Sequence, residues 1–270
     1  MLTLGLGGLV GLLVGLVAHF SLDSVGWAVF GFVLGFFSTT ISINLWMRKK
    51  LEAIFLDVQK QVEEGQGQLR RKINMLQAKN AGGGKGFLRR MEKEQAVGIR
   101  EAIAGLDRVK PMQKWNFLAE KQANTLRAQL YFQIREYEKA DECFDRCLIM
   151  DPLTLAMKMT RLHAKGNQAE IEKLFKKGVK QYKDEKGVIL YALYSWILVQ
   201  TNRIDDALAL LSQAKDKTED ATLRTNWEHL ANGRARHFSN AGLGDQWYAL
   251  HLEEPKAVKT RGHIAGRWMR

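Results

Sequence analysis

The chain has 270 residues, a net charge of +12 and only two cysteines, which is room for one domain of ordinary size plus accessories. The charge is uneven: residues 48–110 carry 15 Lys/Arg against 8 Asp/Glu and residues 256–270 carry five basic residues and no acid, whereas 111–255 carry 21 against 20. A nucleic-acid-binding helical module would carry the surplus itself, and two thiols one helical turn apart, Cys143 and Cys147, make a poor zinc site, so both classes are disfavoured.

Met1 to Phe20 holds no charged residue except the titratable His19, and Trp27 to Trp46 is again uncharged. Each run is long enough to cross a hydrocarbon core of ~30 Å as a helix. Ser21 to Ser24 leaves room only for a tight hairpin. Met47-Arg48-Lys49-Lys50 comes at once after the second run, and basic residues beside a span stay on the cytoplasmic side. A cleaved signal peptide is disfavoured: the first run has no positive n-region, and Val17-Ala18-His19 is a poor cleavage site. Gly7, Gly11 and Gly15 recur every four residues, as do Gly31 and Gly35. That spacing lets helices pack closely in lipid, within the hairpin or between copies.

From Leu51 the pattern turns amphipathic. Phe55, Val62, Leu69 and Leu76 recur every seven residues, with Leu51, Val58 and Ile73 between them and a gap at Gly65-Gln66-Gly67. Residues 48–80 therefore predict a basic juxtamembrane stalk, either a homo-oligomeric coiled coil or a helix folded back on the C-terminal helices. Arg48, Lys49, Lys50, Arg70, Arg71 and Lys72 flank the seam and are expected to contact anionic lipid. Residues 81–86 form a Gly-rich hinge. Their G-G-K-G is no phosphate loop, since Lys79 stands where the first Gly is needed and Gly86 where Ser or Thr is needed. A further amphipathic helix is expected over 87–109, with Ala96, Ile99, Ile103 and Leu106 along one side and Pro111 marking its end.

The stretch Glu136 to Pro152 then places Tyr137, Ala140, Phe144, Cys147 and Leu148 on one helical face. Ala140-x3-Phe144 with the later Pro152 resembles the second helix of a tetratricopeptide repeat. Four such units can be set out over 121–255. The first supplies Ala128, Tyr131, Ala140, Phe144, Cys147 and Pro152, with Asn124 and Arg127 departing. The second supplies Leu155, Leu162, Phe175 and Gly178, with Lys158 and Ile171 departing. The third supplies Tyr191, Tyr194, Ser195, Leu198, Ala207, Leu211 and Ala214. The fourth supplies Trp227, Leu230, Ala231, Trp247 and Pro255, with Leu243 departing.

The resemblance implies an all-α chain: a transmembrane helical hairpin (1–47), a juxtamembrane helix, then an α-solenoid of about four helix pairs within 87–255, ending in a basic tail (256–270). It also implies a concave groove for a peptide or helix of a protein partner, lined by Gln129, Phe132 and Gln133, by Thr160 and His163, and by Trp196, Val199 and Gln200. The groove lacks the Lys/Arg run of the carboxylate-clamping members. The layout is similar to that of HemY-like bacterial inner-membrane proteins, in architecture only. The six histidines are scattered, and no nucleophile or dinucleotide motif stands out, so no enzyme, cofactor or metal is expected. The reading is of a membrane-anchored adaptor at the cytoplasmic face of a bacterial inner membrane, within an envelope-assembly complex. The alternative is a basic membrane-surface or nucleic-acid binder using 48–110 and the tail.

Overall fold

The computed structural model describes residues 2–78 and 85–254, and every regular element among them is helical. Residues 81–84 of the expected hinge and the whole expected tail, 256–270, lie outside the described residues. The chain divides into two compact units, Met1–Met150 and Asp151–Arg270. The helices that come after residue 87 in the first unit pack on its long second helix.

In the first unit, α1 (Leu2–Leu22) and α2 (Val25–Ala78) form the hairpin, turning at Asp23, whose φ is 44°. Both are long and apolar enough to cross a membrane. The small residues are buried and the large ones exposed: Thr3, Gly7, Gly11, Gly15, Gly31 and Gly35 are inside, whereas Leu9, Val17, Phe20 and Phe30 are more than half exposed. That inversion of a water-soluble core is what lipid requires, because lipid tails solvate Leu and Phe as well as a protein interior does. The fit is close. A Cβ on Gly11 would lie 2.8 Å from the Phe32 carbonyl oxygen, and one on Gly15 would lie 2.8 Å from that of Ala28. The glycine rows are thus occupied within one hairpin.

The helix α2 runs for 54 residues, ~80 Å at ~1.5 Å per residue. It does not break at the expected boundary after Met47 or at Gly65-Gln66-Gly67, where good helix formers on both sides carry the turn through. Of the two outcomes open to the heptad seam, the fold shows the one within the chain. Met47, Leu51 and Ile54 pack with Val109, Met112, Ala119 and Ala123, and Val58 packs with Ile99, Ala102, Ile103, Leu106 and Leu130.

Those partners come from α3 (Lys85–Gly105), a 3-10 segment (Leu106–Lys114) and α4 (Phe117–Gln133). Pro111 lies inside the 3-10 segment rather than at the end of a helix reaching 109. Its missing N–H forbids an α-helical bond there, and the chain winds tighter instead. Asn116 caps α4, its side chain accepting from the Leu118 N–H at 2.9 Å. The helix α5 (Tyr137–Arg146) completes the unit.

Arg127, which departs from the repeat pattern, is buried and clamps α4 to the 3-10 segment. It donates to Glu120 (2.7 Å), Asn124 (2.9 Å), the Leu106 carbonyl (3.2 Å) and Asp107 (3.1 Å).

The second unit begins at Pro152, which opens α6 (Pro152–Ala164) instead of ending α5; Asp151 caps it, accepting from the Thr154 N–H at 2.7 Å. Then come α7 (Gln168–Gln181), α8 (Val188–Gln200), α9 (Ile204–Lys215) and α10 (Ala221–Ala231). The centre is α8, with Val188 to Ser195, Ile197 and Leu198 buried on all sides against α6, α7, α9 and α10. Phe175 stacks on Tyr194 at 4.5 Å, and Ile171, where the repeat pattern has Ala, is fully buried.

Among the described residues, no regular second helix comes after α10. Short 3-10 turns lead to the four-residue α11 (Asp245–Tyr248). Asn226 and Asn240 hold this segment: Asn226 donates to Asn240 at 2.8 Å, and Asn240 donates to the Ala192 carbonyl at 2.9 Å.

One turn recurs four times. After α4, α6, α8 and α10 the residue at 135, 166, 202 or 233 adopts φ between 60° and 72°. In each case its N–H bonds back to the carbonyl three residues earlier, and the next N–H reaches the carbonyl five earlier, as Gly166 does to His163 and Asn167 to Leu162. This is the Schellman ending, which satisfies the last carbonyls and reverses the chain.

Candidate functional site

The eight residues expected to line a groove fall in both units. In the first, Phe132 is fully buried, edge-on to Tyr137 at 5.5 Å and to Phe144 at 6.5 Å. It packs α4 on α5 and is no contact residue; the 3.6-residue period cannot tell an inner-face aromatic from a core one. Gln129 and Gln133 are half-buried on the same helix.

In the second unit, Thr160 is buried and donates to the Ala156 carbonyl of its own helix at 3.0 Å. His163 and Trp196 meet edge-on at 5.7 Å, which brings α6 and α8 together at one place. Burial holds the His163 imidazole below its ordinary pKa, favouring the neutral ring. Trp196 is also covered: it lies edge-on to Trp247 at 6.1 Å, and its Nε1 donates to Glu253 at 3.0 Å. The residues left open are Val199, half-buried, and Gln200, exposed, which come three and four positions after Trp196 on one face of α8. Trp247 and Glu253 belong to this cluster although they stand more than 50 residues beyond Trp196. No local spacing could have signalled them.

The six basic residues expected at lipid are all exposed. They separate along α2, however. Arg48, Lys49 and Lys50 directly adjoin the uncharged run, whereas Arg70, Arg71 and Lys72 lie ~35 Å farther along the helix. A headgroup layer ~5–8 Å thick and a screening length of ~8 Å do not span that distance. Lys72 is also paired with Glu94 at 2.7 Å. The six residues therefore do not form one cluster that a single headgroup layer could reach.

The two cysteines form no disulfide and are half-buried, and burial raises the Cys143 thiol above its ordinary pKa. Among the described residues, no group of three or more His, Cys, Asp or Glu side chains is placed to hold a metal ion. No family model, no curated protein and no solved structure shows a significant match to the chain.

Proposed function

We propose that the chain is a membrane-anchored adaptor whose tetratricopeptide-like helix pairs hold a segment of a protein partner at the cytoplasmic face of the membrane. The observation that carries this reading is the recurrence of one Schellman turn at 135, 166, 202 and 233, intervals of 31, 36 and 31 residues. Such intervals are those of stacked helix-pair modules, whose inner helices receive peptides or helices. Arg48-Lys49-Lys50 at the end of the second span argues for a cytoplasmic domain. The open positions on α8, Val199 and Gln200, are neutral and suit an uncharged or amphipathic segment.

The test is crosslinking in native membranes, comparing wild type with Val199→Glu and Gln200→Glu, and with Gln213→Glu on α9 as control. These positions are not fully buried, so the fold is kept. The groove variants lose the crosslinked partner and the control retains it. Equal yields from all of them would end the proposal, as would protease protection that places 85–254 outside the cell.

A further inference from the structure

A cleft of about 540 Å³ opens in the first unit between α2 and the 3-10 segment. Its apolar floor includes Met47, Ile54 and Met112, its edges are Trp46 and Trp115, and Lys50 and Arg108 line it with Asp57. We propose that this cleft binds one anionic phospholipid of the bilayer, with the phosphate at Lys50 and the acyl chains between Trp46 and Trp115. The inference rests on the reading of α1 and α2 as membrane spans.

Its depth is set by the packing of Met47, Met112 and Trp115 and by one long-range bond. The Thr3 hydroxyl, in the first turn of α1, donates to the Trp115 carbonyl at 2.7 Å, and Thr3 is buried. A helix of ~20 residues covers ~30 Å, so the first turn of α1 lies at one edge of the hydrocarbon. Trp46, the last residue of the uncharged run in α2, marks the same edge. Trp115 is thereby held at that level by a residue 112 positions away. Paired tryptophans at this depth are the ordinary interfacial anchors of membrane proteins.

The charges fit the same occupant. Lys50 lies one helical turn beyond Trp46, ~6 Å, which is within the headgroup layer. Its ammonium lies 5.1 Å from the Trp46 ring centroid, and among the described residues no carboxylate is within ion-pair distance of it. Arg108 and Asp57 neutralise each other at 2.5 Å, so the cleft keeps the positive charge of Lys50. Exposed Arg48, Lys49 and Lys114 add to the field at its mouth. A free phosphate could use the cation but not the apolar floor. A phospholipid uses the cation and, on the membrane side of Lys50, the apolar surface of Trp46, Met47 and Trp115.

The experiment uses the full-length chain in nanodiscs holding equal amounts of phosphatidylglycerol and phosphatidylcholine, with retained lipid counted by native mass spectrometry. Wild type keeps one phosphatidylglycerol in preference to phosphatidylcholine. Lys50→Gln reduces that preference about fivefold, the factor that corresponds to ~1 kcal/mol per basic residue at an anionic surface. Trp115→Ala reduces retention of either lipid, and Lys72→Gln leaves both unchanged. No preference in the wild type, equal losses in Lys50→Gln and Lys72→Gln, displacement by inorganic phosphate, or a second polypeptide retained in place of lipid would each overturn the site. Alkaline carbonate extraction is run in parallel. Release of the chain from membranes sinks the spanning reading itself, whereas an inserted chain without lipid preference sinks only the cleft.

Discussion

Replacing Arg127 by Met removes one charge while keeping most of the side chain's volume. In the folded state the guanidinium is about one-tenth exposed and has four partners. The bond to Asp107 counts for little, since that carboxylate is more than half exposed. The bond to Glu120 counts for more. Glu120 is about one-quarter exposed, and among the described residues its second oxygen is buried with no hydrogen-bond partner. A charge-assisted bond of this kind contributes ~1.5–3 kcal/mol. The Leu106 carbonyl, left without Arg127, adds ~1 kcal/mol. Thioether packing returns part of this, so Arg127→Met is expected to cost ~3 kcal/mol. For a unit of this size that lowers the melting temperature by ~6–12 °C. The assay is thermal unfolding of the full chain in a non-denaturing detergent, monitored by circular dichroism. The double variant Glu120→Leu with Arg127→Met removes the stranded carboxylate and is expected to recover at least half of the loss, because a matched apolar pair can replace a buried ion pair at little cost. A single variant as stable as wild type, or a double variant no better than the single, would refute the clamp.

Gly11→Val drives a side chain against the Phe32 carbonyl and is expected to lower the same melting temperature, whereas Gly8→Val, which meets nothing within 4 Å, leaves it unchanged; equal shifts would refute the packed hairpin. Asn240→Ala leaves the Asn226 amide N–H without its acceptor, while the Ala192 carbonyl keeps its bond from the Ser195 hydroxyl, and costs ~1–3 kcal/mol, read as faster proteolytic release of the segment after α10; an unchanged rate would show that the segment is held otherwise. For His163 the folded-state pKa is depressed below 6.5, so the unfolded chain binds the proton more tightly. Stability is therefore complete above about pH 6.5 and falls as the pH drops through that value, until the folded-state pKa is passed. His163→Gln removes that slope, which melting temperatures at about pH 7.5 and 5.5 will show; a variant with the wild-type slope would assign it to another group.

The sequence alone was enough to determine that the described chain is helical and that it holds two helices long and apolar enough to cross a membrane, because each rests on local pattern. Glycine every four residues is a property of a single helix, and the structure places those glycines where two backbones touch. Leu51 and Val58 were legible as an apolar seam for the same reason. What covers the seam was not: α3 and the 3-10 segment come from 40 to 60 residues later, and the pattern of one helix does not name its partner. The same limit explains the candidate site. Phe132 and Trp196 carry the spacing of an inner face, but exposure is a tertiary property; Phe144 buries the one, and Trp247 with Glu253 covers the other. Arg127 broke the apolar pattern, and only the fold supplied the carbonyl and carboxylates that make a buried cation stable there. The place of Trp115 beside Met47 was likewise decided by packing and by a hydrogen bond between residues 112 positions apart, because a chain's local preferences fix its helices and only their packing fixes which side chains remain free to bind.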